Sequence, residues 1–131
     1  MSVKIEIKNL DKLVKMADRY PAISQKYIDQ AIVRSIGEID IKTKPITPVK
    51  TGRLRNSMIP VFTPFKGVFG AHVSYAPRVH NLYSAGTPYK FPSLNKNAVA
   101  GFLTIGVKES EAKINQAMSD ALEQIVAEMV K

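Results

Sequence analysis

The segment PVKTGRLRNSM concentrates the side chains of this sequence that are best suited to bind an anion. Lys50, Arg53 and Arg55 surround Thr51-Gly52, a pair of residues that is typical of a turn. A guanidinium group can bind a carboxylate or a phosphate through two parallel hydrogen bonds. We therefore predict a functional cationic bend between a helix and a strand. The alternative is a turn at Thr51-Gly52 in which Leu54 enters the core and the arginines are only solvated.

The bend lies within a long segment that has no acidic residue. Residues 41–108 contain ten lysines and arginines and no aspartate or glutamate, so this middle segment carries +10. The remaining residues carry nine basic and eleven acidic side chains, a balance of −2, and the whole chain carries +8. Basic side chains without acidic neighbours attract nucleic acid or an acidic protein surface. The split also predicts head-to-tail contacts in which the middle of one copy meets the acidic helices of the next.

The sequence offers little support for catalysis or metal binding. His72 and His80 are the only histidines, and their spacing matches no recognised ligand pattern. Ser74 or Ser84 could pair with His80, but no acidic residue of the same region would orient the imidazole. The chain has no cysteine and no phosphate-binding glycine loop. We predict a protein that is not an enzyme and has no cofactor, metal or small-molecule substrate.

The first part of the chain predicts a strand and two helices. Val3, Ile5 and Ile7 alternate with charged residues, as in a half-buried strand. The helix that follows should break at Tyr20-Pro21, because proline disfavours helical geometry in the residue before it. Proline suits a first helical turn, so a second helix can begin there. Its apolar stripe has helical spacing and consists of Ile28, Ile32, Ile36 and Ile39, and prolines should end it at Pro45 and Pro48.

The rest of the chain predicts a hairpin, a loop and a long helix. Residues 58–75 are rich in β-branched and aromatic side chains, and Lys66-Gly67 is expected to form the turn between two strands. The second strand would place Phe69, Ala71, Val73 and Tyr75 on one face. Residues 81–101 show no period and predict a mobile loop. A final helix is expected from about Val107 to Val130.

These elements predict an α+β fold, in which a small antiparallel sheet packs against two or three helices. The sheet would combine the N-terminal strand with the hairpin, and the helices would include the long C-terminal one. A length of 131 residues favours one domain over residues 1–131. The N-terminus lacks a signal-peptide pattern, and the longest apolar run, Val99–Val107, is shorter than the ~20 residues of a membrane helix. We expect a soluble cytoplasmic protein without membrane association.

The order of these signals resembles that of the tail-component, or tail-completion, proteins of long-tailed bacteriophages and prophages. In that family an N-terminal strand and a helix broken near a proline precede P-V-[DK]-T-G-R-L-R-N-S-[IM]. A β-hairpin ending in Y-A-P-x-V-[HE]-x, a variable loop, a phenylalanine-leucine pair and a closing helix follow. The similarity extends over nearly the whole chain, with matches at Tyr20-Pro21, Pro48 to Met58, Tyr75 to Asn81 and Phe102-Leu103.

The resemblance implies a structural protein of the phage neck, or head–tail connector, that forms a ring around the channel through which DNA leaves the head. Six subunits are expected in the ring. Its partners would be a head-completion ring on one side and tail-tube or tail-terminator proteins on the other, with DNA nearby. The protein would occupy the host cytoplasm during assembly and the virion afterwards. Lys50, Asn81 and Thr104-Ile105 differ from the residues common in the family, so its interface charges are expected to suit its own partners.

The resemblance and the charge pattern together predict an interface with partner proteins or the DNA channel. Its candidate residues are Lys50, Thr51, Gly52, Arg53, Arg55, Arg78, His80, Lys90 and Lys96. The second hypothesis is a small basic protein that binds DNA or RNA through the middle segment. The chain lacks a recognised helix-turn-helix, zinc-finger or aromatic stacking signature. A steep loss of affinity with salt would distinguish a nucleic-acid binder dominated by phosphate contacts.

Overall fold

Helices and one β-hairpin form the regular structure of residues 7–91 and 93–130, the part of the chain that the computed structural model describes. In chain order the elements are α1 (Leu10–Arg19), α2 (Pro21–Thr43), a 3₁₀ turn (Lys44–Ile46), α3 (Arg53–Asn56), β1 (Ile59–Thr63), β2 (Lys66–Gly70), α4 (Ala76–His80) and α5 (Phe102–Met129). The prediction of an α+β fold with a long C-terminal helix is confirmed. The strand predicted at residues 3–7 falls almost entirely outside the described residues.

The break between the first two helices lies where the proline predicts it. α1 ends at Arg19 and α2 begins at Pro21, while Tyr20 between them has non-helical angles (φ −132°, ψ 65°). Pro21 is tolerated because the first residues of a helix have no intrahelical partner for their N–H groups. The Ser24 hydroxyl donates to the Met16 carbonyl at 2.9 Å and ties the start of α2 to the end of α1.

An antiparallel pair formed by α2 and α5 is the framework of the structure. The start of α2 lies beside the end of α5, since the Tyr27 hydroxyl donates to Glu128 Oε2 at 3.2 Å. The end of α2 lies beside the start of α5, where Gly106 faces Thr43. α5 begins at Phe102, earlier than predicted, and at ~1.5 Å per residue it is ~42 Å long. Neither α5 nor any other helix of the described residues is long and apolar enough to cross a membrane.

The hydrophobic core is divided between the two ends of this helix pair. The first cluster surrounds the start of α5 and includes Ile39, Leu54, Met58, Ala76, Phe102 and Leu103. The second cluster surrounds the end of α5 and includes Leu13, Ile28, Ala31, Met118, Ala121 and Ile125. The predicted stripe of α2 therefore serves both clusters, whereas α3 and α4 pack only on the first.

The hairpin turn lies two residues before the predicted position. Thr63 pairs with Lys66 in the antiparallel register, so Pro64-Phe65 forms the turn. Phe65 adopts a left-handed conformation with φ 60°, which is unusual for a residue with a side chain. Its N–H donates to Asp29 Oδ1 at 2.8 Å. This contact with α2 fixes the turn in a place that local turn propensity does not indicate.

The glycine interpreted as a turn residue has a packing role instead. Gly67 lies in β2, where a Cβ would overlap the side chains of Ile32 and Ile36 on α2. Its missing side chain allows the hairpin to approach the helix. The sequence cannot distinguish this use of glycine from a turn, because only the tertiary contact reveals it.

The second strand is shorter than its alternating pattern predicts. β2 ends at Gly70, which pairs with Ile59, the first residue of β1. The chain before Ile59 has already turned into the core at Met58, so later residues have no strand to pair with. Ala71 and Val73 still pack against the first cluster, but they do so outside a strand. The short helix α4 then follows where no helix is predicted.

Candidate functional site

The predicted cationic bend is a tight turn followed by one helical turn, α3. Gly52 has φ 84°, a left-handed conformation that favours glycine. The Asn56 N–H donates to the Gly52 carbonyl at 2.8 Å, which closes the helical turn. Leu54 is 6% exposed and packs in the first cluster, as expected of the apolar residue between two arginines. It anchors the bend on the core while Arg53 stays exposed.

The bend forms one wall of an open groove of about 840 Å³, which we call the bend groove. Residues 48–54 form this wall, Tyr75 and Val79 form the second, and Phe91, Ser93 and Leu94 form the third. The lining is mostly apolar, and the Leu94 side chain is 78% exposed. The groove thus combines cations from the bend with an apolar lining.

Hydrogen bonds attach the third wall to the first. The Leu94 N–H donates to the Val49 carbonyl at 2.7 Å, and the Val49 N–H donates to the Ser93 hydroxyl at 3.0 Å. The Asn95 side-chain amide donates to the carbonyls of Pro45 and Thr47, each at 2.8 Å. This part of the 81–101 loop lacks regular structure but is joined to the segment that leads into the bend.

Tyr89 attaches the preceding part of the same loop to α4. Its hydroxyl donates to the Val79 carbonyl at 2.7 Å, and its ring lies 4.9 Å from that of Phe91 and 5.8 Å from that of Tyr83. Burial, with a further contribution from Tyr83, raises the pKa of Tyr89 to about 12. The phenol is therefore neutral at physiological pH and remains a hydrogen-bond donor there.

The cations of the groove have no acidic partner among residues 7–91 and 93–130. The ion pairs in that part of the chain are Arg34–Asp120 and Lys44–Asp40, both on the helices outside the groove. Lys50 and Arg53 are both exposed, so they can bind an external anion without first breaking an ion pair. The predicted concentration of unpaired positive charge is therefore present on the surface.

The structure brings together only part of the predicted interface. Lys50, Thr51, Gly52 and Arg53 all line the bend groove. The other predicted cations, Arg55, Arg78, Lys90 and Lys96, are not among its lining residues. Arg78 and Lys96 are exposed elsewhere, Arg55 is half-buried, and the Lys90 ammonium lies 5.5 Å from the centre of the Tyr83 ring.

The prediction that His80 belongs to the interface needs correction. His80 is only 4% exposed and packs edge-on against Phe102, with ring centres 4.9 Å apart. Nδ1 lies 2.8 Å from Asn81 Oδ1, and Nε2 accepts from the Thr104 N–H at 3.4 Å. Both ring nitrogens thus lie within hydrogen-bond distance of polar groups of the protein. His80 therefore joins α4 to the start of α5 inside the protein.

Sequence reasoning missed the apolar lining of the groove. The sequence pattern predicts a strand at Tyr75 and places Phe91 and Leu94 in the 81–101 loop, and it does not indicate that the three side chains share a surface. The available signal is the presence of several large apolar or aromatic side chains, Leu82, Tyr83, Tyr89, Phe91, Leu94 and Val99, in a loop that otherwise consists mostly of small and polar residues. Exposed apolar side chains beside cations are typical of an interaction surface.

Neither the search for a metal site nor the comparison with known proteins assigns a function to this chain. Within the described part of the chain, no group of three or more histidine, aspartate or glutamate side chains is arranged to hold a metal ion. Comparison with protein-family models, with characterised proteins and with solved structures finds no significant match.

Proposed function

We propose that this chain is a structural protein of the phage neck that assembles into a ring and joins the DNA-filled head to the tail. The observation that carries the proposal is the bend groove, in which Lys50 and Arg53 of the K-T-G-R-L-R segment present unpaired positive charge beside an apolar lining. The motif resembles the signature of phage tail-completion proteins. A surface of this kind suits docking to an acidic protein neighbour, and its arginines also suit phosphates.

Replacing the two arginines tests the assembly role. In the phage or prophage that carries the gene, Arg53→Ala with Arg55→Ala should block joining and leave filled heads and free tails. The purified variant should remain folded, because Arg53 is exposed and Arg55 is half-buried, neither belongs to the hydrophobic core, and such charges usually contribute less than ~0.5 kcal/mol. Lys12→Ala with Lys15→Ala is the matched control, since it removes two exposed cations from α1. Normal virion yield from the arginine variant would contradict a role for the bend in assembly.

Leu54→Ala separates assembly from folding. Truncating this buried leucine should lower the free energy of unfolding by ~2–5 kcal/mol and reduce the melting temperature. The arginine variant should show the opposite combination, with a normal melting temperature and failed assembly. Thermal unfolding followed by circular dichroism, together with electron microscopy of lysates, measures both properties.

A second candidate function is binding of DNA or RNA, which the unpaired cations of the middle segment favour. Affinity dominated by phosphate contacts falls steeply with salt, and removing two contacts makes that slope shallower. Titrating a fluorescent DNA duplex at several salt concentrations, with wild type and the Arg53/Arg55 variant, measures the slope. Equal slopes for the two proteins would exclude these arginines from phosphate binding.

A further inference from the structure

We propose that the bend groove of one subunit receives the C-terminal end of α5 of a second copy of this chain. The inference rests on the proposed ring, because it names the contact by which subunits of such a ring would bind one another. The contact itself can be measured on the purified protein, independently of any phage.

The groove specifies the chemistry of its occupant. Lys50 and Arg53 provide positive charge, and the apolar walls include Phe91 and Leu94. An occupant that matches both features needs an acidic side chain next to exposed apolar ones. Complementary charge favours such a partner and disfavours a basic one by repulsion.

The C-terminal end of α5 has this composition. Val126 is 44% exposed, and Val130 is 80% exposed, the highest value among the large hydrophobic side chains of the described residues. Glu123 is also exposed and lies on the same face of α5 as Val126, three residues on, and Val130 follows directly after the last helical residue. α5 contains five acidic residues and two lysines, Lys108 and Lys113, so this helix carries the negative charge that the middle segment lacks.

The two surfaces lie at opposite ends of the molecule. The bend is anchored by Leu54 in the first cluster, whereas the end of α5 packs through Ile125 in the second cluster. Since the α5 helix between these clusters is ~42 Å long, its end is too far away to enter the groove of its own subunit. A contact between these surfaces must therefore join different copies head to tail.

Head-to-tail contacts close into a ring when the rotation between copies permits it. Six copies, each contributing the ~42 Å length of α5, would form a ring with a mean diameter of ~80 Å. The same contact in an open arrangement would produce a filament. The apolar part of the contact supplies affinity, and the charges select the orientation.

A reciprocal charge exchange tests the contact. The groove variant carries Lys50→Glu and Arg53→Glu, and the helix variant carries Glu123→Arg. Each alone would place like charges in contact, so self-association should weaken about tenfold or more relative to wild type. An equimolar mixture of the two variants should recover association. The acidic groove of the groove variant then meets the basic helix of the helix variant, and the unchanged groove of the helix variant meets the unchanged helix of the groove variant. Sedimentation velocity at the highest soluble concentration measures all four samples.

Matched controls carry the same charge changes on other exposed surfaces. Lys42→Glu with Lys108→Glu, at the end of α2 and near the start of α5, matches the groove variant, and Glu111→Arg in α5 matches the helix variant. Both should associate like wild type. The proposal is overturned if the wild type stays monomeric at the highest concentration, if the controls weaken association equally, or if mixing the two variants restores nothing.

The absence of native cysteine allows a direct structural test. Leu94→Cys in one copy and Val130→Cys in another should form a disulfide-linked pair on mild oxidation. A chain that carries both cysteines should form a series of cross-linked oligomers on a non-reducing gel, and the largest of them should contain the number of subunits in the ring. Leu94→Cys with Glu111→Cys is the negative control. Equal cross-linking of the control would overturn the proposed pairing.

The outcomes also separate this inference from the proposed function. Failed charge exchange combined with blocked virion assembly in the Arg53/Arg55 variant would assign the groove to a different neck protein. Successful exchange combined with normal virion yield would retain the subunit contact and remove the assembly role of the bend.

Discussion

At the scale of single residues, Gly106 marks the closest approach of the two main helices. A Cβ at this position would overlap the hydroxyl of Thr43 and lie against its backbone. Gly37 provides a contrast within α2, since a Cβ there would meet nothing within 4 Å. The two glycines look alike in sequence, and only the packing of α2 on α5 distinguishes them.

Alanine substitutions at these glycines should have opposite effects. Gly106→Ala should lower the free energy of unfolding by ~1–3 kcal/mol, because the helices must separate. Gly37→Ala should raise it by ~0.5–1 kcal/mol, because alanine favours the helix. The double variant Thr43→Ala with Gly106→Ala should lose less free energy of unfolding than the two single variants lose in sum. Urea unfolding of the four variants measures these values, and full additivity would argue against the close approach.

The raised pKa of Tyr89 predicts that the free energy of unfolding falls at alkaline pH. Its pKa is about 12 in the folded chain, against an ordinary value of 10.0, so the unfolded chain loses the proton first. The stability contributed by the neutral phenol is present below pH ~10 and is lost as pH rises towards ~12. Tyr89→Phe should therefore show a smaller fall in the free energy of unfolding across that window. An unchanged pH profile in urea unfolding would contradict this role.

The burial of a side chain could be predicted from its sequence neighbours at Leu54 but not at His80. Leu54 was expected in the core because it lies between arginines at a turn, and local pattern suffices for that expectation. His80 is predicted at the interface because it belongs to the segment from Tyr75 to Asn81 that matches the family pattern. Its burial depends on Phe102, which is remote in sequence and approaches only through folding.

At the scale of elements, the helices were predicted best. Pro21 defines the start of α2, and the isoleucine spacing defines its buried face, since both signals act within one element. The start of α5 was missed by several residues because Gly101, with φ 69°, forms its N-terminal boundary without a side-chain cap. The pattern does not show the end of β2, because strand length depends on the partner strand, which begins at Ile59 opposite Gly70.

The 81–101 loop remains the expected site of first cleavage by protease. Trypsin should cut after Lys90 or Lys96, which are both exposed, before it cuts after the exposed Lys42 within α2. Tyr89→Phe should accelerate the cut, because it removes the hydrogen bond to Val79. Mass spectrometry of early digestion products identifies the site. First cleavage in α2 would contradict the predicted mobility of the loop.

At the scale of the whole molecule, the separation of charge predicts how copies associate. We expect monomers or weak oligomers in dilute solution and rings at high concentration or with a neck partner. Salt should weaken this association, because the Debye length falls to about 3 Å at 1 M ionic strength. Light scattering across protein and salt concentrations measures the molar mass. A twofold dimer that persists in all conditions would argue strongly against a head-to-tail ring.

The contact between Thr43 and Gly106 also has a consequence for how the chain reaches its structure. The two residues lie side by side although residues 44–105 separate them in sequence, so the principal helix pair forms by a long loop closure. Such non-local pairing slows folding relative to helical bundles with short connections. During synthesis, the apolar stripe of α2 leaves the ribosome well before α5 does. Nascent chains therefore carry an uncovered hydrophobic helix, and docking of α5 is the step most exposed to aggregation and to assistance by chaperones.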